Sequence, residues 1–120
     1  MHAVVLDSYG GPEVLGVRDV SAPQPGPEEV LVDVVATALN RGDLLQREGK
    51  YPGPSVLGVD GVAYEIPGME FAGRVASVGT RVSSVAPGDE VMGIVGGGSY
   101  ASQLVTHERL LLPVPGGVPL

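Results

Sequence analysis

The sequence predicts a β-rich α+β domain in which about eight short strands accompany one or two short helices. Three observations support this. Short β-branched runs alternate with turn-forming residues along most of the chain. Nineteen glycines and eleven prolines in 120 residues, without a Gly-X-Y period, supply the many turns of a small barrel or sandwich. Only one stretch changes to helical spacing, and no βαβ unit is visible.

The elements follow in order. His2–Leu6 is a short strand closed by the turn Asp7-Ser8-Tyr9-Gly10-Gly11-Pro12, and Val14–Val20 is a second. Pro23-Gln24-Pro25-Gly26-Pro27 lacks the N–H donors of a ladder and is an extended surface connection. Glu29–Leu39, with valine at 30, 32, 34 and 35, is apolar on both faces, as expected of a strand buried on both sides. Asn40 then caps a helix of about two turns, with Asp43 in the capping-box position. In that helix Leu44 and Leu45 are expected to pack inward while Gln46, Arg47 and Glu48 face water, and Gly49 ends it. Val59-Asp60-Gly61-Val62 is expected to form a two-residue hairpin turn. Met69–Val78, Val91–Val95, Ser99–Thr106 and Arg109–Leu112 are further strands, and Pro113–Pro119 is a breaker-rich exit.

Composition narrows the function. Apolar residues make up 43% of the chain and aromatics only 4%, so one core of Val, Leu, Ala and Ile is expected in a single domain, 1–120. The net charge of −7 repels phosphate backbones, which argues against nucleic acid as a partner. The absence of cysteine removes disulfides, thiolate metal sites and a cysteine nucleophile. No run approaches a membrane span, and Met1-His2-Ala3-Val4-Val5 lacks the basic region of a signal peptide. The expected location is therefore the cytoplasm, with no membrane partner.

Hydrolytic and zinc chemistry are poorly supported. The two histidines, His2 and His107, lie in or beside strands, far apart in sequence, and no Gly-x-Ser-x-Gly elbow occurs. Gly96-Gly97-Gly98-Ser99-Tyr100-Ala101 matches Gly-x-Gly-x-x-Ala in letters only. A dinucleotide fingerprint must open a helix, and here a strand follows. The run reads as a flexible β–β loop, and its bare backbone can still lie beside a ligand.

Asn40, Asp43 and Tyr51 remain. One reading is structural: Asn40 caps, Asp43 closes the box and Tyr51 packs near a proline turn. The other is that Asn40 and Tyr51 donate neutral hydrogen bonds to a carbonyl in a cleft, stabilising charge on its oxygen without a metal. Both can hold at once.

A series of motifs gives these residues a context. They are Ala3-Val4-Val5, Gly10-Gly11-Pro12-Glu13-Val14-Leu15, Pro25-Gly26-Pro27-Glu28-Glu29-Val30-Leu31-Val32 and Ala38-Leu39-Asn40-Arg41-Gly42-Asp43. Gly49-Lys50-Tyr51-Pro52, Pro67-Gly68-Met69-Glu70-Phe71-Ala72-Gly73, Val78-Gly79 and Pro87-Gly88-Asp89-Glu90-Val91 follow. In this order they resemble the zinc-free, zeta-crystallin-type quinone oxidoreductases of the medium-chain dehydrogenase/reductase superfamily. The resemblance implies a GroES-like, partly open β-barrel that lacks the Rossmann domain. It implies reduction of quinones or other activated carbonyls with NADPH, bound mainly by a domain absent from this chain. Zinc-dependent relatives keep a Cys three residues before the Asp and a His after the Gly of Gly-His-Glu. Those positions are Asn40 and Met69 here, so no zinc is expected. The resemblance places Asn40, Arg41, Asp43, Tyr51 and Met69 around the nicotinamide and substrate cleft, with Tyr51 and Asn40 as the catalytic candidates.

Two departures accompany it. Val56–Tyr64 looks longer than usual and is expected to form an extra hairpin over the cleft mouth. The chain ends at Leu120, where the family continues into the nucleotide-binding domain, so an isolated N-terminal domain, inactive alone, is expected. Full-length relatives often form homodimers. An enoyl-thioester reductase domain of the same superfamily and a non-catalytic β-barrel binding module are the other readings.

Overall fold

A computed structural model describes all residues 1–120. The chain forms nine strands, one α-helix and two 3-10 turns. They are β1 (His2–Leu6), β2 (Leu15–Asp19), β3 (Glu29–Thr37), α1 (Arg41–Arg47), β4 (Ser55–Leu57), β5 (Ala63–Glu65), β6 (Glu70–Val78), β7 (Glu90–Ile94), β8 (Gln103–His107) and β9 (Leu111–Pro113). The 3-10 turns are Pro12–Val14 and Glu108–Leu110. The β-rich α+β class read from the sequence is the one observed.

Five strands form the main antiparallel sheet in the order β8-β3-β6-β7-β9, and β1–β2 and β4–β5 form two hairpins. A bridge between Ala3 and Ala101 ties β1 to the segment entering β8, reinforced by Val4 N–H to the Tyr100 carbonyl at 2.8 Å. The sheet therefore curls toward the hairpin without closing, which gives the partly open barrel.

Alternation builds the core. Val30 and Val32 of β3 point to the same side as Phe71 and Val75 of β6, Val91 of β7 and Leu104 of β8, and all six are buried. Ala3, Val5, Val20 and Ile66 form a second cluster under the first hairpin. The surface histidines are each matched to an acid: His2 to Asp19 at 2.7 Å and His107 to Glu28 at 3.0 Å.

Three local expectations need correction. β3 is buried only over its first half, and Val35 is 50% exposed. Its pairing with β8 ends at Asp33, and after one further bond, from the Val34 N–H to the Ser102 carbonyl, the strand loses its neighbour on that edge. The second concerns the turn at Asp60-Gly61. Gly58 N–H bonds the Val62 carbonyl and Gly61 N–H bonds the Gly58 carbonyl, which leaves a three-residue loop. Only Gly61 adopts a positive φ, +81°, as the residue after a type I turn must, whereas a two-residue Asp-Gly turn needs it at both positions. The third is the place of this hairpin, β4–β5. Val56 and Tyr64 pack on the Ala3–Ile66 cluster, and Asp60 accepts from the Ser21 hydroxyl at 2.8 Å. Apolar burial thus draws the hairpin onto the Ala3–Ile66 cluster, and none of its residues lines either cavity described below.

Candidate functional site

The β3–α1 junction carries the densest polar network. Asn40 has an extended backbone (φ −125°, ψ 157°), as an N-cap does, and with Asp43 it closes a capping box. The Asn40 N–H donates to Asp43 Oδ2 at 2.9 Å. Asp43, only 6% exposed, also accepts from the Gly68 N–H on Oδ1 at 3.1 Å and from the Tyr100 hydroxyl on Oδ2 at 2.7 Å. One carboxylate thereby joins α1, the entry to β6 and the loop before β8. Burial, and then the bond to Asp43, push the Tyr100 phenol far above its usual range, so it stays a neutral donor.

The Asn40 side chain reaches another element. Its Nδ2 donates to Glu70 Oε2 at the start of β6. The Glu70 carbonyl accepts from the Thr37 hydroxyl at 2.7 Å, and Thr37 in turn meets the buried Ser99 hydroxyl at 2.8 Å. Asn40, Arg41 and Asp43 line a cavity of about 280 Å³ together with Arg47, Pro67 and Tyr100. Beside it lies a mostly apolar groove of about 580 Å³ that shares Leu15, Leu39 and Tyr100 with it. The arrangement offers a carbonyl compound an amide donor and two guanidinium groups at one end and apolar wall at the other.

The remaining two sequence-derived site residues lie apart from this cavity. Met69 packs its sulfur over the bare backbone of Gly42 in the first turn of α1. Tyr51 is half-buried in the α1–β4 connection and lines neither cavity. Sequence reasoning placed the helix faces incorrectly. Gln46 is completely buried, whereas Leu44 is 45% exposed. The Gln46 amide lies against Gly53 and donates from Nε2 to Glu65 Oε1 at 3.3 Å, while its own Oε1 has no partner. The second Glu65 oxygen accepts from the Tyr9 hydroxyl at 2.8 Å.

Tyr100 and Glu70 were not singled out as site residues. The signal for Tyr100 was the glycine run before it. Gly98, Ser99 and Tyr100 make successive backbone bonds to Ile66, Gly68 and Pro67, so the loop is pinned at the cavity wall and is not free. No helix follows it, as the sequence indicated.

Comparison with known proteins identifies the family to which this fold belongs. Residues 26–116 match the alcohol dehydrogenase GroES-like domain. A quinone oxidoreductase of Pseudomonas aeruginosa is 39% identical over 112 residues, covering 92% of this chain and 32% of that protein. The pikromycin polyketide synthase component PikAII of Streptomyces venezuelae is 37% identical over 85% of this chain and 2% of its own length. The crystal structure of Escherichia coli quinone oxidoreductase complexed with NADPH superposes with a TM-score of 0.87 at 27% identity, covering 99% of this chain and 35% of that one. The chain thus spans about a third of the length of the two quinone oxidoreductases.

Proposed function

The chain belongs to the alcohol dehydrogenase GroES-like domain family, and on that premise we propose that it is the acceptor-binding half of an NADPH-dependent, zinc-independent oxidoreductase acting on quinones or other activated carbonyls. The observation that carries the reading is the Asn40 amide. It lines a cavity beside Arg41 and Tyr100, at the position where zinc-dependent relatives keep a cysteine.

The donor set does not suit zinc. An amide at 40 and a thioether at 69 stand where thiolate and imidazole are needed, and no three His, Cys, Asp or Glu side chains converge anywhere in the fold. Polarisation of the acceptor is instead assigned to neutral and cationic donors. The Asn40 amide donates toward the acceptor oxygen, while Arg41 and Arg47 favour the negative charge that develops there. One such donor accounts for about 10²–10³ in rate where it has been removed elsewhere. Tyr51 is the second proposed donor, reaching the acceptor from the α1–β4 connection.

The cavity suits an acceptor carbonyl and one edge of a nicotinamide ring. The N–H groups of Gly98, Ser99 and Tyr100 are spent on backbone bonds to Ile66–Gly68, and no helix follows them to complete a pyrophosphate cradle. The dinucleotide is therefore assigned to a nucleotide-binding domain outside these residues, and the 120-residue chain alone is expected to be inactive. When bound, NADPH supplies the hydride, and a proton completes the alcohol or hydroquinone. The apolar wall of Leu15, Leu39 and Pro67 is this chain's contribution to holding the acceptor. Its acidic surface fits a cytoplasmic protein that does not bind nucleic acid; no helix is long and apolar enough to cross a membrane.

Similarity to a polyketide synthase component favours one other reading, reduction of enoyl thioesters. NADPH oxidation by the domain joined to its nucleotide-binding half, compared across quinones and enoyl thioesters, decides between them. The proposal expects quinones to be turned over faster; a preference for enoyl thioesters reverses the assignment.

A further inference from the structure

We propose that Glu70 is a positioning residue that sets the direction of the Asn40 amide, an inference that rests on the carbonyl-acceptor reading above. Glu70 is held on three sides. Its backbone pairs with Ile94 of β7, its carbonyl takes the Thr37 hydroxyl, and Thr37 is anchored by the fully buried Ser99. Its Oε2 accepts from Asn40 Nδ2.

An amide can present either of two faces, and they differ in chemistry. One end is a double donor and the other an acceptor. A carboxylate only accepts, so it forces the NH2 end of Asn40 toward itself. Nδ2 carries two hydrogens, and Glu70 takes one of them. The second has no partner in the protein, and Asn40 lines the cavity. Glu70 thus keeps a donor, rather than the repelling Oδ1 lone pairs, available to a carbonyl oxygen. The Asn40 backbone, tied to Asp43, fixes the pivot. Without Glu70 nothing holds the Nδ2 end, and only the capping-box contact between the Asn40 side chain and the Asp43 N–H opposes a flip that would offer the cavity an acceptor in place of a donor.

The test exploits a property of the sequence: Asn40 is its sole asparagine, so selective 15N-asparagine labelling gives one side-chain pair of NH2 signals. In the wild-type chain the two Nδ2 protons are expected to be well separated, one shifted downfield by the carboxylate. Adding a water-soluble benzoquinone is expected to move the other. In Glu70→Ala the separation collapses, and quinone affinity falls about tenfold, the loss of one charge-assisted hydrogen bond. Glu70→Gln retains an acceptor for Asn40, so its affinity stays within about threefold. Backbone amide spectra report whether each variant is folded, and Glu70→Gln, nearly isosteric, keeps the comparison open where the alanine variant unfolds. A wild-type quinone response that survives in Glu70→Ala overturns the positioning role alone. Separated NH2 signals that no quinone moves overturn the acceptor reading, and the positioning role with it.

Discussion

Asp43 and Gln46 are buried one helical turn apart on the same face of α1, yet they are satisfied to very different degrees. Asp43 receives three donors from three segments: the helix cap, the entry to β6 and the loop before β8. Gln46 has one long bond, to Glu65, and an oxygen with no partner. The cost of burying a carboxylate is offset only where its lone pairs are taken, and at Asp43 they are. That turn is therefore a rigid mount for Asn40. The next turn is held by packing and a weak bond, and it supports the Tyr51–Pro54 connection through contact with Gly53. The proposed donor on the rigid turn lines the cavity, whereas the one beyond the weaker turn does not.

The sharpest way to break this contrast is Asp43→Ala. It leaves three inward-facing donors unpaired, so a loss of about 3–5 kcal/mol in urea unfolding is expected. A loss below about 1 kcal/mol would remove the basis for calling that turn rigid. Gly53→Ala probes the other turn. A Cβ there would fall 2.1 Å from Gln46 Nε2, so the amide or the connection must shift, at about 1–3 kcal/mol. Combining it with Gln46→Ala should cost less than the sum of the two, which a double-mutant cycle reads directly.

Tyr100→Phe removes one of the three Asp43 donors and is expected to cost about 1–2 kcal/mol. Its pH dependence is a second signature. The Tyr100 phenol is raised in the folded chain, so its contribution is complete below the ordinary tyrosine range of about 10. As pH rises further, the unfolded chain releases the proton while the folded chain retains it. Stability therefore falls on the alkaline side, and the phenylalanine variant should show a shallower fall in thermal unfolding. The smallest effect is Gln46→Leu. It removes the orphaned oxygen at similar volume, and melting should place it within about 1 kcal/mol of wild type.

Much of the fold was legible because the strands announce themselves locally. β1 is His2–Leu6 by sequence and by structure, β6 differs from expectation by one residue at its start, and β7 is shifted by one residue at each end. The Asn40–Asp43 cap was legible for the same reason, since both partners lie within one turn. Gln46 was not. A polar helical residue is assigned to solvent unless something distant covers it, and here Glu65 and the bare Gly53 do so. Tyr100 was hidden by distance, 57 residues from its partner Asp43, and Glu70 by the 30 that separate it from Asn40. Such partners become neighbours only when β3, β6 and β8 pair, and no local period records that pairing.

The account's central claim is that these residues hold an acceptor and not the dinucleotide that would reduce it. Titrating NADPH into the 120-residue chain while following nicotinamide fluorescence tests this most directly. The account expects no saturable enhancement in the micromolar range. Saturable micromolar binding by this chain alone would contradict it.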